Sequence, residues 1–306
     1  MTHPMPLLGS LAERWKLDDL TPVGSGLEFS VYSARNKDGR AVALRLAHRR
    51  FDSNANDPQV DTRALLVQEY EITRHLTAHG FPVAEPLELH LAEDEDASSP
   101  DVLLSAYVPD DGSDIDSFAL GELLARLHRL PPPRRLVPVA AEGVSTRRAL
   151  VTRIRRRWAE TGRHVADWPA PPDPELLARH LSGVAETALV HLDVRSANIR
   201  RGEGRVNALL DWSNALLGDA TLEFGRLTEY ARYPENQLDP QALRAGYATL
   251  QHEDLPPGTA PAMLACRLDT ALMLALVFLS EAPDPTRGPT AADHARELAE
   301  SLTKER

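Results

Sequence analysis

Apolar and polar positions along the first third of the chain change period several times. From about Leu8 to Leu17 the apolar residues recur at helical spacing and predict a short amphipathic helix. The stretches Leu27 to Ala34 and Ala41 to Ala47 then read as strands. Asn36-Lys-Asp-Gly39 lies between them, and Gly39 tolerates the positive φ of a tight hairpin turn. Between Leu65 and His79 the period is helical again, with Leu65, Leu66, Tyr70, Ile72 and Leu76 near one face and Gly80 placed to cap the end. Phe81 to His90 and Val102 to Val108 read as two further strands. The polar stretch joining them, Glu93 to Asp96 and Ser98 to Pro100, suits a solvated turn better than a metal site.

Past Tyr107-Val-Pro109 and the polar run Asp110 to Asp114 the pattern turns from strands to helices. Leu120, Leu123, Leu124 and Leu127 share one face of a helix from Leu120 to Leu130, which Pro131-Pro-Pro133 stops. The segment from there to Pro174 carries no clear period. Glu175 to Leu181 reads as a helix, Ala188-Leu-Val190 as a short strand, Gly202-Glu-Gly204 as a turn and Val206 to Leu210 as a strand. The apolar run Ala271 to Leu279 falls short of a membrane span and follows Arg267 and Asp269 on what reads as one helix, so a buried helix is expected there. A β-rich front third thus precedes a helical remainder.

With 306 residues, 42% hydrophobic and 26% charged, the chain is long enough for two folding units with substantial cores. A formal net charge of −11 opposes a nucleic-acid backbone, and the basic run Arg153 to Arg157 is too isolated to reverse that. Acidity instead permits a cationic small molecule. The single cysteine, Cys266, excludes an intramolecular disulfide, and Met1-Thr-His-Pro lacks the basic-then-apolar order of a signal peptide; both fit a cytoplasmic protein.

The chemistry concentrates in His191-Leu-Asp193-Val-Arg195-Ser-Ala-Asn198 and, thirteen residues on, Asp211 in Leu209-Leu-Asp211-Trp212. Phosphoryl transfer needs a group to receive the acceptor's proton and oxygen ligands for magnesium. Asp193 is the candidate base, and Asn198 and Asp211 are the candidate metal ligands. His191 reads as an organiser of the loop, and Arg195 as a cation within reach of the transferring phosphate.

His191 to Asn198, Asp211-Trp212 and Leu217-Gly-Asp219 resemble the catalytic and metal motifs of the aminoglycoside phosphotransferase family, which includes choline-kinase-like and other small-molecule kinases. Gly24-Ser-Gly26, the helix around Glu69, Gly80-Phe-Pro-Val83, Leu103 to Pro109 and Leu123 to His128 match further pieces in the same order. The resemblance covers most of the chain and implies an α+β, bilobal, protein-kinase-like fold. A small N-lobe with an antiparallel sheet and one main helix would span 1–105, and a larger, mainly helical C-lobe 106–306.

It further implies ATP and Mg²⁺ as cofactors and transfer of the γ-phosphate to a hydroxyl of a small molecule, an aminoglycoside-like antibiotic or a related metabolite. Gly24, Ser25 and Gly26 would cover the phosphates, and Ala106, Tyr107 and Val108 would form the adenine-binding hinge. Asp219 would stabilise the loop as a helix N-cap. Where the family carries a phosphate-binding lysine this chain has Arg45, for which Glu69 is the expected ion-pair partner and Glu71 the fallback. Leu192 stands where the family more often has glycine, and Arg195 where it often has histidine.

The alternative is a kinase-like nucleotide-binding or regulatory protein with little turnover, because arginine replaces that lysine. A protein kinase is disfavoured, since Asp211-Trp212-Ser213 replaces Asp-Phe-Gly and no Ala-Pro-Glu segment follows. The acceptor is expected near Asp193; Asp110 to Asp116 reads first as a solvated loop leading into a helix, with help in gathering a cation as the alternative. Glu223, Glu235 and Asp239 read as ordinary surface carboxylates.

Overall fold

A computed structural model describes residues 5–93, 100–251 and 255–304. The loop expected over Glu93 to Pro100 falls largely outside them. By its contacts the chain forms two units. The first comprises Met1–Ser53, Gln59–Ser113 and Ile199–Ser213, the second Asn54–Pro58, Asp114–Asn198 and Asn214–Arg306.

In the first unit α1 (Met5–Trp15) precedes β1 (Asp18–Ser25), β2 (Phe29–Arg35) and β3 (Ala41–Ala47). The short strands β4 (Phe51–Asp52) and β5 (Val60–Asp61) lead to α2 (Thr62–Ala78), β6 (Pro86–His90) and β7 (Val102–Ala106). Five strands pair antiparallel in the order β1-β2-β3-β7-β6. Alternation along β3 divides its side chains between two faces. Val42, Leu44 and Leu46 are buried with Leu8 and Leu11 of α1, whereas Ala47 shares its face with Phe29, Leu103 and Leu66 of α2. Arg45, two positions before Ala47 and opposite Leu103, belongs to that second face.

Asp61 caps α2 by accepting from Arg63 N and Ala64 N. At its other end Gly80, at φ +66°, donates to Thr77 O, and Phe81 donates to Leu76 O. This double closure needs a left-handed residue, which glycine supplies without a Cβ clash.

The hairpin of β9 (Ile199–Gly202) and β10 (Arg205–Leu209) also belongs to the first unit. A single division between 105 and 106 does not describe that return. Its bonds explain it: Leu209 N donates to Pro82 O, Asp111 N to Arg201 O, and the Arg201 guanidinium grips Asp110 at 2.7 and 3.0 Å.

Helices build most of the second unit: α3 (Ser117–Arg129), α4 (Thr146–Thr161), α5 (Pro174–His180), α6 (Ala220–Tyr230), α7 (Pro240–Ala248), α8 (Pro261–Leu276) and α9 (Arg287–Lys304). One small antiparallel pair joins them, β8 (Ala188–Val190) with β11 (Leu216–Gly218). Leu150, Ile154, Trp158, Leu177, Val190, Leu192, Leu268, Leu272 and Leu298 belong to one buried cluster. Where α3 meets α7 the backbones touch: a Cβ on Gly246 would lie 1.9 Å from Phe118 O, and one on Gly121 2.2 Å from Leu243 O. Any larger residue at either place forces the helices apart.

Helix α4 fills the stretch whose pattern was unreadable. Its inner face is partly arginine: Arg153 and Arg157 are buried and both bind Asp269 of α8, Arg153 through two contacts of 2.9 and 2.7 Å. The apolar stripe of Leu150, Ile154 and Trp158 is therefore narrow and flanked by charge, which weakens the hydropathy signal. Residues 261–281 reach a mean hydropathy of 1.9 over their most apolar window, long and apolar enough to cross a membrane, although the contiguous run had suggested otherwise. With 67% of that window buried inside the fold, a core helix accounts for it.

Candidate active site

In the first unit three segments meet at Arg45. Its guanidinium donates to Glu69 at 2.6 Å from Nη1, and to Asp211 at 3.0 Å and the Ser213 hydroxyl at 3.2 Å from Nη2; it also stacks over the Phe29 ring at 4.3 Å. The expected partner Glu69 is thus the observed one, while Glu71 pairs with Arg74. Gln68, one residue before Glu69, donates to Trp212 O and Ser213 O and fixes the segment that carries Asp211. Trp212 is fully buried against Phe81.

Two carboxylates thus share one cation, Glu69 on its buried side and the partly exposed Asp211 on the other. Burial pushes the Glu69 carboxyl up to about 7, with the Arg45 charge pulling against it and the Asp211 charge adding to it. Burial alone would weaken the Arg45 cation, but Asp211 and Glu69 more than offset this and its proton is held above the ordinary value. Glu28, which the sequence reading passed over, also faces Asp211 and Arg45, and burial raises its carboxyl.

Gly24 and Ser25 close β1, opposite Val31 and Ser30, and Gly26 N bonds Phe29 O at the turn. All three are exposed. Strand β1 itself was not expected: its side chains are nearly all exposed, so no alternation marks it. Ala106 ends β7 with its N–H on Glu85 O, and Tyr107 N donates to Ala41 O; Ala106, Tyr107 and Val108 are half-buried.

In the second unit the loop after β8 is held from several sides. Leu192 sits at φ +60°, in the left-handed region that glycine enters most easily. Glu223 of α6 accepts from the flanking amides, His191 N at 2.6 Å and Leu192 N at 3.0 Å, and holds this turn. Glu223 is completely buried, so the expectation of a surface carboxylate there is corrected: its partners are backbone N–H groups more than thirty positions away. Burial pushes its carboxyl up, but His128, 3.6 Å away, and His191 outweigh that and leave it below the usual range. His191 Nδ1 accepts from Asp193 N, the organising role expected of it.

Asp193 is buried and engaged at both oxygens. Oδ2 accepts from Asn198 Nδ2 at 2.7 Å, and Oδ1 accepts from the Tyr230 hydroxyl at 2.5 Å. Arg195, 43% exposed at its side chain, brings Nε to 3.3 Å from Oδ1. The Asn198 amide nitrogen also reaches Asp193 O, so its amide oxygen is the atom offered to a cation. Asp219 caps α6 through Thr221 N and also accepts from Ala185 N, as expected.

Most of the carboxylates considered for gathering a cationic acceptor have partners of their own. Asp110 binds Arg201, Asp111 accepts from Ser113 N and Glu203 N, and Asp116 caps α3. Asp239 caps α7, and Glu235 pairs with Arg287 at 2.6 Å. Among the described residues no three His, Cys, Asp or Glu side chains gather as a metal site by themselves. Tyr230, Arg226 and Glu223 were missed as site residues; the available signal was a helix with polar residues at 223, 226 and 230 on one face.

A model of the phosphotransferase enzyme family matches residues 19–261. The chain belongs to that family. It is accordingly a phosphotransferase of the class that acts on hydroxyl groups. Among curated proteins none matches the sequence. Solved structures with a similar fold include an aminoglycoside-3'-phosphotransferase of type VIII, with 19% identity, 86% of this chain and 97% of that one covered, and a TM-score of 0.60. Macrolide 2'-phosphotransferase MphH from Brachybacterium faecium is 21% identical over 93% of this chain and 96% of that one, with a TM-score of 0.56. A thermostable variant of aminoglycoside phosphotransferase APH(4)-Ia, in a ternary complex with ADP and hygromycin B, is 16% identical over 96% and 97% with the same TM-score. At these identities the likeness establishes the protein-kinase-like fold.

Proposed function

We propose that this phosphotransferase moves the γ-phosphate of ATP to a hydroxyl of a small molecule, with Asp193 receiving the hydroxyl's proton. The observation that carries this reading is the Asp193 carboxylate, buried yet held by directed donors on a loop whose strained turn is fastened from α6. The acceptor oxygen forms a bond to the γ-phosphorus, the bond from that phosphorus to the β,γ-bridging oxygen breaks, ADP leaves, and the proton passes to Asp193.

Asn198 and Asp211 each offer an oxygen of the hard type that suits magnesium, and when bound the ion neutralises charge on the phosphates. Arg45 keeps its charge at the lysine position, and its fork grips two groups at once. Gly24 to Gly26 cover the phosphates and Ala106 to Val108 receive the adenine. The ADP complex of the APH(4)-Ia variant supports a nucleotide donor. Because most of the carboxylates considered for a cationic acceptor already have partners, neutral and anionic alcohols belong in the substrate panel beside aminoglycosides and macrolides.

The test is a mass-spectrometric screen for products heavier by one phosphoryl group, run with Mg-ATP and a library of antibiotics and metabolites. The expected result is at least one product that disappears in Asp193→Asn. A product formed equally by that variant removes Asp193 from the chemistry.

A further inference from the structure

We infer that Tyr230 and Arg226 are positioning residues that aim the Asp193 carboxylate, an inference that rests on Asp193 receiving the acceptor's proton. The Tyr230 oxygen lies 2.5 Å from Asp193 Oδ1, and Arg226 Nε lies 3.2 Å from the same Tyr230 oxygen. A guanidinium has hydrogens to give and no lone pair to receive one. The phenol oxygen therefore accepts from Arg226, and its single hydrogen is directed to Asp193. Burial, with the Asp193 charge and against the pull of Arg226, pushes the Tyr230 phenol up, so it keeps the hydrogen it donates.

The order of the chain matters. Rotation about the last bond of an aspartate is broad and roughly two-fold, so burial alone leaves the plane of the carboxylate loosely set. Here Oδ2 is tied to Asn198 and Oδ1 to Tyr230, and two tied oxygens fix the plane. Each carboxylate oxygen has two lone-pair directions. Tyr230 takes one at Oδ1 and so determines where the other points; the half-exposed Arg195 Nε approaches that oxygen at 3.3 Å and is the contact an incoming hydroxyl would displace or share.

Arg226 is itself pinned. It is 4% exposed, Tyr230 3%, and Arg226 Nη2 reaches Met273 Sδ of α8 at 2.8 Å. Arg226 and Tyr230 are four positions apart on α6 and thus on one face, and Glu223, three positions earlier, bonds the loop backbone. One helix face therefore fixes both the turn and the carboxylate it presents.

The experiment uses the full chain with Mg-ATP, reading ATP turnover with water as the acceptor, KM for ATP and the thermal midpoint. Tyr230→Phe removes one oxygen and keeps the ring. The expected result is a fall in kcat of about tenfold with KM for ATP unchanged, because misaimed groups lower the rate without touching nucleotide binding. In an Asp193→Asn background the same substitution is expected to cost nothing further. A tenfold fall in both backgrounds overturns the inference, since the hydroxyl would then act on the fold at large; so does an unchanged kcat in the single variant.

Should Tyr230→Phe fail to fold, Arg226 carries the test. Arg226→Gln introduces an oxygen that can capture the phenol's hydrogen, and is expected to slow turnover. Arg226→Lys, again a pure donor, is expected to restore most of it, and equal rates for the two overturn the inference. If Asp193→Asn turns over like the wild type, the proposed base fails and the inference falls with it, an outcome distinct from a silent Tyr230→Phe.

Discussion

The clusters at Arg45 and at Asp193 are built in opposite ways. At Arg45, in the first unit, one cation is divided between two carboxylates, the buried Glu69 and the partly exposed Asp211. At Asp193, in the second unit, one carboxylate is met by a phenol and an amide, Arg226 stands one hydrogen bond further back, and the exposed Arg195 approaches at longer range. Ion pairing determines where groups sit. Directed neutral donors determine which lone pair is offered, and a group that must take up a proton needs the second kind of control.

The comparison breaks most readily at its charged supports. Behind Arg226, Asp269 is the carboxylate that meets both Arg153 and Arg157, and with them it is held well below the usual carboxylate range although burial opposes this. Asp269→Ala leaves two buried arginines without that counter-charge and should destabilise the fold by about 3–5 kcal/mol in chemical denaturation. A loss near zero would mean that water or another carboxylate takes its place.

Leu192→Gly sets two effects against each other. Glycine relieves a left-handed backbone by roughly 1–2 kcal/mol, whereas deleting a leucine this well buried costs about 2–5 kcal/mol. The variant should therefore be less stable, by about 1–3 kcal/mol in the same measurement. A gain in stability would show that strain outweighs packing in this loop.

Arg45→Lys sharpens the contrast from the other side. An ammonium gathers its three donors on one nitrogen and lacks the planar fork by which Nη1 and Nη2 reach Glu69 and Asp211 separately, so a loss of about 1–2 kcal/mol is expected. Unchanged stability would show that one of the two contacts carries nothing.

The smallest effect concerns pH. Hydrogen bonds from the Arg201 side chain, helped by its backbone N–H and against mild burial, lower the Asp110 carboxyl from 3.8 to about 2. Its contribution to stability is then present above 3.8 and is lost as pH falls through about 2. Asp110→Asn should flatten that part of the thermal-midpoint profile, and an identical acid limb in both proteins would remove Asp110–Arg201 as its cause.

What could be read in the sequence follows the same division. Arg45 lies on a regular strand and Glu69 on a strongly periodic helix, so both elements were plain, and the resemblance to the family's lysine–glutamate positions implied their pairing. The motif from His191 to Asn198 is local and was equally plain. Tyr230, Arg226 and Glu223 were not, because the loop groups that Tyr230 and Glu223 bind lie more than thirty residues away and buried charged residues contradict the usual hydropathy signal. Helix α4 failed in part for the same reason, since arginines paired with a distant aspartate interrupt the narrow apolar stripe on its inward face. Strand β1 failed for the opposite one, since an almost wholly exposed strand has no alternation to read.

The central claim is that Asp193 is the proton-accepting group of a phosphotransferase. Its most direct test is the rate of magnesium-dependent loss of the γ-phosphate from ATP, measured for the full chain and for Asp193→Asn under identical conditions. The account predicts a fall of at least about a hundredfold with the fold and nucleotide affinity retained; equal rates in the two proteins would contradict it.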